Sequence, residues 1–192
     1  MASTNWQARV LTPLLGLLLC ACLAACVPSL NPLSDARTAV DGSALLGVWR
    51  GAEGDVRFEF IAGTNPSTLR LIYVEKDNAP AEFAATTARL DGRLYLDIQP
   101  KLPPPYRGSG FVAHHVTAWH TFVRVQADKG QLRLSFASPQ WLSAHLRSSP
   151  SALAHFRHDD EVVLTASTEQ LQEFVIRHES WFSGTAAVLI KN

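Results

Sequence analysis

Chemistry needs groups that can hold a metal, pass a proton or attack a carbon, and in this sequence such groups cluster in few places. His114, His115 and His120 lie in one stretch that reads as a β-strand. Alternation puts His114 and His120 on one face and His115 on the other. Six residues of strand separate the first pair by about 20 Å, too far to share an ion. His155, His158, Asp159, Asp160 and Glu161 form a denser group. Wound as a helical turn, it would set His155 beside Asp159 and His158 beside Glu161. Metal ligation needs that convergence of imidazole and carboxylate, which makes His155, His158 and Asp159 the candidate ligands. The plainer reading is a solvated loop ahead of a strand, with no metal and no cofactor. Nucleophiles are scarcer still. The three cysteines are Cys20, Cys22 and Cys26. Ser109, in Gly108-Ser109-Gly110, lacks the Gly-x-Ser-x-Gly elbow that would expose and activate it. Nor does any glycine-rich phosphate loop precede a helix. A non-catalytic protein is the expectation.

The elements that must position these residues are mostly strands. Val56, Phe58 and Phe60 alternate with Arg57 and Glu59, the period of a half-buried strand. Leu69 to Val74 follows the turn signal Gly63-Thr64-Asn65-Pro66. Glu82 to Leu90 is an Ala- and Thr-rich strand. Asp91-Gly92 predicts a tight hairpin into the alternating Leu94, Leu96 and Ile98. Prolines at 100 and 103–105 cannot sit in a central strand, so 100–110 reads as a surface loop. Val116 to Val125 is a further strand, turning at Asp128-Lys129-Gly130 into Leu132, Leu134 and Phe136. Ser138-Pro139 opens a helix whose apolar face holds Trp141, Leu142, His145 and Leu146. Val162 to Thr165 is a short strand. Ser167 and Gln170 form a capping box for a second helix, with Leu171, Phe174, Val175 and His178 on one face. Ala187 to Ile190 is the last strand. The class is mainly β (α+β): an antiparallel, strongly curved sheet or closed barrel, with two short helices in the C-terminal part.

Composition closes other doors. Seventeen basic and 17 acidic residues balance, without charge runs or a basic patch, so no nucleic-acid partner is expected. With 47% hydrophobic residues the chain is built to fold.

Leu23-Ala24-Ala25-Cys26, at the end of the apolar run Val10 to Ala25, resembles the lipobox of bacterial lipoprotein signal peptides. The resemblance implies that residues 1–25 are removed, that Cys26 carries acyl chains, and that the membrane is a partner through this anchor; the alternatives are an uncleaved membrane anchor over Val10 to Val27, at the short edge of what spans a bilayer, or an ordinary signal peptide. Pro28, Ser29, Asn31, Pro32 and Ser34 then suggest that residues 26–44 form a flexible tether, with a single domain over 45–192. In the enterobacterial sorting pattern an Asp after the cysteine favours the inner membrane, so Val27 points to the outer membrane of a two-membrane envelope, facing the periplasm.

Gly47-Val48-Trp49 resembles the start of the first barrel strand in lipocalin-type proteins, where the Trp packs across the barrel floor. A helix just before the final strand resembles their layout too. The Thr-Asp-Tyr element of that type is absent, and a helix interrupts the strands near Pro139, so a half-open sheet cradling the helices competes with a closed barrel. A barrel interior would be lined by Trp49, Phe58, Leu96, His120 and Leu134. Two functions are expected of such an anchored domain: binding a small apolar or amphipathic ligand, or docking as an adaptor on another envelope protein.

Overall fold

A computed structural model describes residues 27–76, 78–101, 118–158, 161–184 and 186–192. The strands are β1 (Gly47–Gly51), β2 (Val56–Ala62), β3 (Thr68–Glu75), β4 (Ala81–Leu90), β5 (Arg93–Pro100), β6 (Thr121–Asp128) and β7 (Gln131–Phe136). Then come helix α1 (Pro139–Ser148), the hairpin β8 (His155–His158) and β9 (Glu161–Leu164), helix α2 (Thr168–Arg177) and β10 (Ala186–Lys191). Strands β1 to β7 pair in chain order, and β10 hydrogen-bonds both β7 and β1. The eight strands therefore form a closed antiparallel barrel with no free edge, not a half-open sheet.

Turn chemistry sets the register. The β4–β5 hairpin turns on Asp91-Gly92, with φ of 46° and 74°, and the β6–β7 hairpin on Lys129-Gly130, with φ of 39° and 83°. Two consecutive positive φ values make the two-residue turn that matches the natural strand twist, and glycine takes the second position without strain. Leu90 then pairs with Arg93, and Asp128 with Gln131. That register sends Leu94, Leu96 and Ile98 inward beside Val125, Val123 and Thr121.

Two cores result. The interior core holds Leu45, Trp49, Phe60, Leu69, Leu96, Leu132, Leu134 and Leu189. The other lies outside the barrel wall, where Leu90, Tyr95 and Phe122 on the outer faces of β4, β5 and β6 meet Leu142, Leu146, Leu171, Phe174, Val175, Trp181 and Phe182. Both helices begin as their sequence requires: Ser138 Oγ accepts from Trp141 N, and Ser167 with Gln170 makes the reciprocal capping box. Each apolar side chain taken fully from water there stabilises by about 1.5–3 kcal/mol, enough to hold two ten-residue helices on the barrel wall.

Residues 27–42, expected as a tether, are instead a strap between the barrel and the helical layer. Val27, Ser29 and Leu33 are buried. Ser29 bridges His120 and Leu164, and Ala39 bridges Ala88. Asn31 Nδ2 donates to Ala166 O at 2.8 Å, and Gln172 Nε2 donates to Leu33 O at 2.9 Å. The prolines suggested a linker because they cannot continue regular structure. They do not prevent an extended strand-like path when neighbours satisfy the backbone.

The turn Ser43–Leu45 then closes one end of the barrel. Trp49 Nε1 donates to Leu45 O at 2.7 Å, and Lys191 Nζ lies 5.1 Å from the centre of the Trp49 ring. Gly47, at φ 118°, adopts a conformation that a side chain would strain. Trp49→Ala would open a cavity in this floor and is expected to cost about 3–5 kcal/mol. Chemical denaturation measures it, and an unchanged midpoint would remove Trp49 from the floor.

Candidate functional site

The barrel interior differs at its two ends. Gly51, Val56, Glu75, Ala81, Pro100, Thr121, Phe136 and Ala186 stand at the end opposite Trp49. Eight apolar side chains at the margins of the interior core are only partly buried. Six of them, Val56, Tyr73, Phe83, Ile98, Phe136 and Ala187, belong to this end and point inward by register. Leu46 and Leu94 are at the floor. One layer further in, Leu71, Leu96, Val123 and Leu134 are fully buried. Leu96 and Leu134 are 0% and 1% exposed, so no water-sized void touches them. The barrel is thus filled below, and the six partly buried side chains at the other end form a shallow apolar layer, the cup, beside residues 102–117, which lie outside the described residues. Two residues of strand separate Ile98 from Leu96, which makes the cup about 7 Å deep.

Tyr73 brings a polar group to the cup. Its ring meets Phe58 edge-on at 5.0 Å. Burial, followed by the negative charge of Glu75, pushes the hydroxyl pKa up to about 12, so it stays a neutral donor at physiological pH.

A second polar group lies on the outer wall. Asp97 is buried, and its Oδ2 accepts from Leu33 N at 2.8 Å and from Ser34 N and Oγ at 3.3 Å each. Its Oδ1 lies 2.7 Å from His120 Nδ1. Gln99 Nε2 donates to Ala118 O at 3.0 Å and lies 3.2 Å from His120 Nε2. The amide nitrogen is a donor, so Nε2 of His120 is its acceptor and the imidazole proton sits on Nδ1, facing the carboxylate. Both ring nitrogens are occupied. The pair resembles a catalytic base with its orienting acid, but the atom that would take a proton is capped by Gln99. It works as a clasp holding the strap to β5.

Trp49, Phe58, Leu96 and Leu134 all join the interior core. His120 does not: it shares the outer face with Asp97 and Phe122. Residues 155–158 and 161–164 form strands of a hairpin rather than a helical turn, with His155 opposite Leu164 and His158 opposite Glu161. His155 Nδ1 lies 2.9 Å from Leu153 O. Asp159, Asp160, His114, His115, Ser109 and Cys26 lie outside the described residues. Among the described residues, no three His, Cys, Asp or Glu side chains converge to hold a metal.

One cluster was legible only in parts. His145 of α1 and His178 after α2 sit with ring centres 4.6 Å apart, flanked by Trp141 at 4.9 Å and 5.6 Å and by Phe174 at 5.6 Å and 4.5 Å. Burial, then the proximity of His145 and Arg177, lowers the His178 pKa below its usual value. Each His lies on an apolar helical face in the sequence, which was the available signal. Their meeting depends on how the helices pack.

No protein-family model, no curated protein and no solved structure matches this chain. The closed eight-stranded antiparallel barrel is compatible with a lipocalin-like architecture, and that is a statement of shape alone.

Asp97→Ala would strip the acceptor from Leu33 N, Ser34 N, Ser34 Oγ and His120 Nδ1 together. The expected loss is about 3–5 kcal/mol in denaturant unfolding, with faster proteolysis within residues 27–42. A stability unchanged within about 0.5 kcal/mol would show that the strap does not depend on this carboxylate.

Proposed function

We propose that the protein is a membrane-anchored envelope lipoprotein whose barrel mouth binds the apolar end of an amphipathic ligand, without catalysis. The observation that supports this reading is the change within one layer from filled interior to half-exposed, inward-facing apolar side chains. The depth of the cup limits what fits. About 7 Å takes roughly five methylenes of an extended chain, and burying them gains about 4 kcal/mol. Alone that corresponds to roughly millimolar affinity. The ligand therefore leaves most of its length outside the barrel and is met where it is abundant. The Tyr73 hydroxyl and Glu75 at the rim favour a ligand with a polar group beside its apolar end.

The filled lower barrel also favours an adaptor reading, in which the same cup receives an apolar side chain of another envelope protein. Titration separates the two. An environment-sensitive fatty-acid probe should saturate near one equivalent, and Phe83→Glu, at the half-exposed rim, should weaken it at least about tenfold, or 1.4 kcal/mol, with the melting transition unchanged. A probe that fails to saturate removes the carrier reading and leaves the adaptor.

The anchor rests on the Leu23-Ala24-Ala25-Cys26 motif. Cys26→Ser is expected to abolish acylation and release the protein from membranes without detergent. Fractionation reads the result, and equal retention of variant and wild type would refute the anchor.

A further inference from the structure

Beside the mouth, three extended segments continue the ladder past β6. Ser29 exchanges both backbone hydrogen bonds with His120, at 2.9 Å each, and bridges Leu164 of β9 on its other side. β9 pairs with β8, His155 opposite Leu164 and Phe156 opposite Val163. Side chains alternate across such a ladder. Val27, Ser29, Val162 and Leu164 take the inner face, and all are buried. The outer face holds Trp119, Leu30, Val163 and Phe156. Leu30 follows Ser29 as Trp119 precedes His120, so those two stand across from each other. Phe156 is 60% exposed, Leu30 46% and Trp119 38%; among the described residues, only Ile176 and Ile190 are further large hydrophobics this exposed. Three of the five thus share one face, across about 15 Å of ladder.

The start of the strap bears on what could cover this face. Val27 is buried and Ser29 is held by strands on both sides. Cys26 is one peptide away, about 3.8 Å between Cα atoms. A flexible tether of some twenty residues would wander roughly 25 Å and leave orientation free. Here the attachment has almost no slack. We infer that the Trp119–Leu30–Phe156 face lies on the lipid bilayer surface, an inference that rests on the proposed acylation of Cys26. Chains entering the bilayer at Cys26 bring this face to the headgroup region, where Trp and Phe sit favourably beside aliphatic residues. The mouth comes with it, because Trp119 lies two residues before Thr121 on the rim. A bilayer is also an abundant source of apolar chain ends, which a cup of millimolar affinity needs.

The test uses the full chain carrying Trp6→Phe and Trp119→Phe, purified from membranes and placed in phosphatidylethanolamine–phosphatidylglycerol vesicles containing lipid brominated in its acyl chains. Added Phe156→Trp should increase bromine quenching of tryptophan fluorescence at least about threefold over added Ile190→Trp, four residues down β10 from the mouth and paired with Gln131 at the floor end of β7. Both positions are exposed, so neither change burdens the fold, and the melting transition checks this. The intact mass of the same protein reports acylation separately. Acylated protein with equal quenching at both positions, or none at either, overturns the docking face and leaves the anchor. Quenching confined to position 156 in unacylated protein overturns the anchor and keeps the face. Unacylated protein without quenching overturns both. Concentration-dependent dimerisation through this face, without vesicles and abolished by Phe156→Glu, would make it a self-association surface and overturn the membrane assignment.

Discussion

A carboxylate buried away from water must be surrounded by donors or it destabilises the fold, and the Asp97 side chain meets that condition with groups from two elements. His120 lies just before β6. Leu33 and Ser34 come from the strap. The hydrogen bonds therefore act across a seam, joining a chain segment of little regular structure to a buried part of the barrel wall. Other contacts tie the strap's opposite side to the helical layer: Asn31 donates a side-chain amide to Ala166 O, and Gln172 of α2 donates one to Leu33 O. Without the strap, Leu33 and Val27 would leave the outer core, and the helical layer would rest on an incomplete surface.

That layer resolves an ambiguity of architecture. Two amphipathic helices need somewhere to bury their apolar sides. They could have plugged an open sheet, or covered a closed barrel from outside. The outer faces of β4 to β6 carry Leu90, Tyr95 and Phe122 where a solvated barrel would carry polar residues, and the helices bury them. Tyr95 meets Phe182 edge-on at 5.2 Å and Phe122 meets Trp181 edge-on at 6.5 Å. Because the helices are outside, the interior is filled by strand side chains alone. Its floor is closed by Leu45 and Trp49, and its mouth is left to the half-buried residues of the opposite rim.

The strap, the mouth and the exposed aromatic face lie close together for one structural reason. The same short strand, around Ser29, extends the sheet at the start of β6 and receives the hairpin β8–β9 on its other side. The start of the strap, the partly buried rim and the exposed face share this corner of the molecule, so the geometry of one constrains the others.

Local signals in the sequence were sufficient for much of the fold. Period-two alternation marked the strands and their faces, Asp91-Gly92 and Lys129-Gly130 marked the tight hairpins, and Ser138 and Ser167 marked the helix starts. Each of these is decided within a few residues, by backbone sterics and by which side of a strand or helix is apolar. What covers a face is not local. Tyr95 and Asp97 alternate with Leu94, Leu96 and Ile98 as an outward face should, yet both are buried, because residues 60 or more positions away lie on them. Alternation assigns His120 a side but cannot say which side is the inside, and in the fold it faces outward and clasps the strap. The prolines of residues 27–42 looked like a tether for a related reason: their hydrogen-bond partners come from distant strands and helices. The alternating side chains were legible from the sequence because strand geometry sets them. Closure of the barrel, the end at which its apolar side chains stay partly buried and the burial of Asp97 were decided only in three dimensions, because each depends on contacts between segments far apart in the chain.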